Sequence, residues 1–125
     1  MVITSGVITR ERDAVKTDLA TLMTYIAVGT NSTTPTSGDT LLGGETFRST
    51  IDSVDTTSQV KEVTVTMLID TTEANGATFY ETGTFNASSG GTMVHRNVFA
   101  NYINKTVDFS VLIESTIVVT VTDNT

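Results

Sequence analysis

Residues Val60–Asp70 read VKEVTVTMLID, and within them Val63, Val65, Met67 and Ile69 alternate with Glu62, Thr64, Thr66 and Asp70. Successive side chains of an extended strand point to opposite faces, so this spacing places the apolar set on one face and the polar set on the other. The stretch predicts a strand with one buried and one wet face. It breaks at Thr71–Gly76, where Asn75-Gly76 is a strong turn signal.

The same pattern extends in both directions. Ala77–Asn86 reads as a strand interrupted at Gly83, where a bulge or a close backbone approach is expected. Ser88-Ser89-Gly90-Gly91 closes a hairpin into Thr92–Ala100, where Met93, His95, Asn97 and Phe99 oppose Val94, Arg96, Val98 and Ala100. Thr106–Thr122 is the last strand region, with Val107, Phe109, Val111, Ile113, Ile117, Val119 and Val121 on one parity. Its length predicts a bend near Glu114-Ser115. Upstream, Glu45–Val54 is expected to be one strand with Phe47, Ser49, Ile51 and Ser53 on one face, and Tyr25–Val28 a short buried strand ending at Gly29.

Between these two strands, residues 29–44 (GTNSTTPTSGDTLLGG) contain the only proline, Pro35, and predict a long surface loop anchored by Leu41 and Leu42. The one helix signal runs from Thr9 to Met23, with Thr9 as N-cap, Glu11 and Asp13 in the first turn, and Val15, Leu19 and Leu22 as an apolar stripe. The sum is a mainly β fold, one domain over residues 1–125, forming an antiparallel β-sandwich or a barrel-like arrangement with one N-terminal α-helix at about 9–23.

Composition narrows the functional classes. The 27 Thr and 10 Ser suit half-solvated strand faces. Seven basic residues are scattered against 14 acidic ones, for a net charge of −7, which argues against nucleic acid as a partner. A mean hydropathy of +0.08 with no long apolar run predicts neither a membrane span nor a signal peptide. There is no cysteine to form a disulfide or a thiolate site.

The inventory for chemistry is short. His95 is the single histidine, there is no Gly-x-Ser-x-Gly element, and no catalytic residue or cofactor is expected. Asp52 with Asp55, and Asp70 with Glu73, read as turn carboxylates rather than as calcium ligands, so no metal is expected either. Phe79 and Tyr80 are adjacent, so in an extended strand one of them points away from the face the other occupies.

Several segments share their order with a known family. Tyr25-Ile-Ala-Val-Gly-Thr, Thr40-Leu-Leu-Gly-Gly-Glu and Thr46-Phe-Arg, followed by Glu73-Ala-Asn-Gly-Ala-Thr-Phe-Tyr-Glu-Thr-Gly-Thr-Phe-Asn-Ala-Ser and Gly91-Thr-Met-Val-His-Arg, resemble small tailed-phage and prophage virion structural proteins of the tail-fibre or minor structural type. Thr84 departs from the apolar residue common at that point in the family. The resemblance implies a non-enzymatic virion protein that assembles with itself as a homo-oligomer and docks on capsid or tail partners through protein–protein contacts.

On that reading the interface candidates are Val15, Leu19 and Leu22 of the helix, Pro35, Leu41 and Leu42 of the loop, and the Phe79-Tyr80 pair. The competing reading is a carbohydrate-binding or host-adhesion β-module, prompted by the long polar loop and an outward Tyr80.

Overall fold

The computed structural model describes residues 4–122. Helix α1 (Ser5–Leu22) precedes seven strands: β1 (Tyr25–Gly29), β2 (Glu45–Thr50), β3 (Ser53–Asp55), β4 (Glu62–Ile69), β5 (Thr78–Phe85), β6 (Met93–Asn104) and β7 (Val111–Val118). They form two antiparallel sheets, one ordered β2-β1-β5-β6 and the other β3-β4-β7. The fold is therefore mainly β and sandwich-like, with open sheet edges rather than a closed barrel.

The core lies between the sheets. Val63, Val65, Met67 and Ile69 of β4 are all buried, as their alternation predicts, and share one cluster with Ile26, Val28, Phe79, Val111, Ile113 and Met23. Each such side chain contributes roughly 2 kcal/mol through the apolar surface it removes from water. The hairpin between β5 and β6 turns through Gly90 and Gly91 at positive φ, as the glycine pair predicts.

Two strand expectations need correction. Glu45–Val54 is not one strand but two, β2 and β3, in different sheets. The change of sheet occurs across one peptide: the Ile51 N–H donates to Thr24 O at 3.1 Å beside β1, and the Asp52 N–H donates to Thr66 O of β4 at 2.7 Å. Ile51 packs on the core during the crossover, which is why the apolar alternation runs through it. The bend expected at Glu114-Ser115 is absent, because β7 pairs with β4 without a shift from Val111↔Ile69 to Val118↔Glu62. Val107 and Phe109 lie before the strand and are exposed.

The irregularity falls between β5 and β6 instead. There β5 moves from Phe79 to Glu81 while β6 moves from Ile103 to Val98, so Phe99–Tyr102 bow out opposite Tyr80.

The helix also differs. It starts at Ser5, with Thr4 in the N-cap position and no acid in its first turn, so Glu11 and Asp13 fall further along it. Its inward face carries Lys16, Leu19 and Ala20 and leads into Met23, whereas Val15 and Leu22 are exposed. Lys16 is buried because its stem covers apolar surface while its Nζ donates to Gln59 O at 3.2 Å and Val60 O at 2.9 Å. An apolar stripe read at helical spacing cannot anticipate a lysine that finds two carbonyls.

Candidate functional site

The connection between β1 and β2 folds back over the outer face of the four-stranded sheet. Leu42 drives this, burying itself against Ala27 and Phe85 in a second small core edged by Tyr25 and Met93. Gly83 leaves room for it, since a Cβ there would meet Leu42 Cδ2 at 2.9 Å, His95 O at 3.2 Å and Met93 Sδ at 3.3 Å. The approach at Gly83 is thus closest for a side chain of the loop rather than for backbone.

Beside this core, Glu81 of β5 is fully buried. Its Oε2 accepts the N–H groups of Asn31 and Gly44, each at 2.9 Å, and its Oε1 accepts the Gly43 N–H at 2.9 Å and Arg96 Nε at 3.0 Å. Four donors on two oxygens satisfy the carboxylate completely. Burial pushes the Glu81 pKa up, but the N–H groups of Asn31 and Gly43, the Arg96 guanidinium and the Gly44 N–H outweigh it and hold the group below its usual range. Both ends of the loop are therefore tied to one carboxylate.

Arg96 extends the network outward. Its Nη1 donates to Asp39 Oδ2 at 3.1 Å and its Nη2 to Asn31 O at 3.4 Å. Asp39 also accepts the Thr36 N–H and the Thr36 hydroxyl, each at 3.0 Å, and these bonds hold its carboxyl below the usual value. At the other end of the same face, the Arg48 guanidinium lies 3.7 Å from the Phe85 ring centroid, pairs with Glu45 at 2.6 Å and donates to Ala87 O at 2.8 Å and Gly90 O at 3.0 Å.

The loop borders an open pocket of about 320 Å³, lined among others by Asn31, Thr33, Asp39, Leu41 and Arg96. It offers a fixed cationic donor, a fixed anionic acceptor and one apolar side chain.

The residues singled out from the sequence do not converge on one site. Leu41 is 65% exposed at the pocket, Pro35 is half-buried, and Leu42 is interior. Phe79 is fully buried, so it and Leu42 are core residues rather than contact residues. Tyr80 stacks on Tyr102 with centroids 5.4 Å apart and a 37° tilt. Val15 and Leu22 face outward, while Leu19 packs on the core.

Sequence reasoning missed Glu81 and Arg96. Their one signal is an ionisable residue on each strand of a predicted hairpin, which does not say that the loop covers them.

A second surface was missed as well. On the outer face of the three-stranded sheet, Leu68 and Leu112 stand directly opposite each other at 46% and 56% exposure, with Val118 exposed along β7. The rest of this face carries hydroxyls, paired as Thr64 with Thr116 at 2.9 Å and Ser53 with Thr66, and the carboxylates of Glu62 and Glu114. His95 is used internally: its Nδ1 lies 3.1 Å from Ser115 Oγ, which links β6 to β7 across the sandwich, and burial lowers its pKa.

Among the described residues no group of three or more His, Asp or Glu side chains is placed to hold a metal ion, and no helix is long and apolar enough to cross a membrane. No protein-family model and no curated protein matches the chain.

Proposed function

We propose that this protein is a structural subunit of a tailed-virus particle, acting through protein–protein contacts with its own copies and with capsid or tail partners rather than through catalysis. The observation that carries the assembly part is the Leu68–Leu112 pair, two large apolar side chains side by side on an exposed sheet face. Apolar residues that a sheet presents together on its wet side are stabilised by a partner that covers them. The hydroxyls and the Glu62 and Glu114 carboxylates on the rest of the face supply a polar rim, and the outer edge of β7 keeps backbone groups available for further pairing. The viral part is supported by the order of the sequence motifs.

Sedimentation of the purified protein and mass spectrometry of purified particles test this reading. The expected result is an oligomer in solution that Leu68→Glu or Leu112→Glu dissociates while the circular-dichroism spectrum is kept, together with the chain in the particle. A monomer at all concentrations, absent from particles, would overturn it.

A further inference from the structure

The loop pocket offers a second function that does not depend on the assembly reading. We propose that it is a binding site for a neutral sugar, with Arg96 and Asp39 holding two adjacent hydroxyls and Leu41 covering an apolar face of the ring.

The donor and acceptor capacity supports this. A guanidinium has five N–H donors. Glu81, Asp39 and Asn31 take one each, so two have no acceptor among the described residues although the Arg96 side chain is 5% exposed and lines the pocket. The Asp39 carboxylate has about four lone-pair positions, of which three are used by Thr36 and Arg96. A fixed donor thus stands beside a fixed acceptor 3.1 Å away. Neighbouring hydroxyls on a sugar ring match that pairing, one accepting from Arg96 and the other donating to Asp39.

The site is built before any ligand arrives. Arg96 is held by Glu81, and Asp39 by Thr36, so neither has to be ordered on binding. The pocket volume lies at the lower end for small-molecule sites, a scale suited to one ring rather than to a chain.

Charge then selects among sugars. Two carboxylates against one guanidinium leave the cluster net negative, within a chain of net charge −7, so an acidic sugar is repelled.

The test is a titration of the full-length ¹⁵N-labelled protein with glucose, galactose and mannose, with N-acetylneuraminic acid as the acidic comparison. At least one neutral hexose is expected to shift Arg96 Nε–H and the Asn31 and Gly43 amides with millimolar affinity, and the acidic sugar is not. Asp39→Asn should weaken binding about tenfold. Leu41→Ser, at an exposed position that the fold tolerates, should weaken it severalfold with an unchanged melting temperature. The site is refuted if no neutral hexose moves these signals, if the shifts map to Tyr80 and Tyr102 instead, or if both variants bind as the parent does. None of these outcomes touches the oligomer measurement.

Discussion

Arg96 stands opposite Gly83 in the β5–β6 ladder, yet its Nε reaches Glu81 Oε1, two residues along the neighbouring strand, at 3.0 Å. The space left at Gly83 is taken by Leu42 of the loop, and the arginine lies along the sheet beneath that loop. A glycine, a glutamate and an arginine spaced over two strands thereby decide where residues 30–44 go.

Glu81→Gln keeps the shape but replaces one acceptor oxygen with a donor, so two of the four N–H donors face an N–H₂ group. Breaking a buried charged pair from one side costs about 3 kcal/mol. Urea denaturation should show a loss of that size, and hydrogen exchange should show the Asn31, Gly43 and Gly44 amides losing protection ahead of β4. A loss below about 1 kcal/mol, within the range of an ordinary hydrogen bond, would mean that Leu42 alone holds the loop.

Stability should fall with acid in two stages. His95 has a folded pKa below its unfolded value of about 6.5, so the unfolded chain takes up this proton first. Stability is full above pH of about 6.5 and declines as the pH drops toward the folded value. The carboxylates act lower. Glu81 is held below its usual range, and Asp55 is lowered to about 2 by hydrogen bonds from the Ser58 side chain and from the Ser58 and Thr57 N–H groups. Their contribution is present above the unfolded values of about 4 and is lost as the pH falls toward about 2. Urea midpoints measured from neutral to acid pH check both stages, and His95→Asn should remove only the first.

Two glycines on this face should respond differently to alanine. At Gly29 a Cβ would meet Glu81 Oε2 and Gly44 O, both at 2.6 Å, one of them backbone and the other part of the clamp. At Gly83 the nearest atom is a terminal methyl of Leu42 at 2.9 Å, and the nearest backbone atom, His95 O, lies at 3.2 Å. Overpacking costs about 1–3 kcal/mol, so Gly83→Ala should fall near the lower figure and Gly29→Ala at or beyond the upper one. Thermal melts of the two variants order them; the reverse order would place the tight contact elsewhere.

Lys16 anchors the helix. Lys16→Ala removes two charge-assisted bonds to the Gln59 and Val60 carbonyls and leaves those acceptors short of partners, for a loss of about 2 kcal/mol. Val15→Ala, on the exposed side, should change stability by less than about 0.5 kcal/mol. Denaturation of the pair checks which face of the helix is inward.

The strands were legible wherever one face is wet and the other dry. β4 carries that contrast over its whole length, whereas the β5–β6 hairpin was legible from the glycines whose φ its turn demands, since β5 is buried on both faces from Glu81 to Phe85. The crossover at Ile51-Asp52 was not legible, because a residue that stays in the core while the chain changes sheets keeps the same alternation. The helix face was misread for a related reason: Lys16 is buried by carbonyls supplied from 43 and 44 residues away.

Residue order by itself determined a β-rich chain with one helix, a long loop at 29–44 and two glycine-marked turns, because alternation, helical periodicity and turn chemistry are local properties. Tertiary structure alone decided what the loop does. Glu81, Arg96 and Asp39 are 15 and 57 residues apart along the chain and become one network only when β5 pairs with β6 and the loop closes over them. A buried carboxylate is stable only where its donors converge, and that convergence is a property of the fold rather than of any segment.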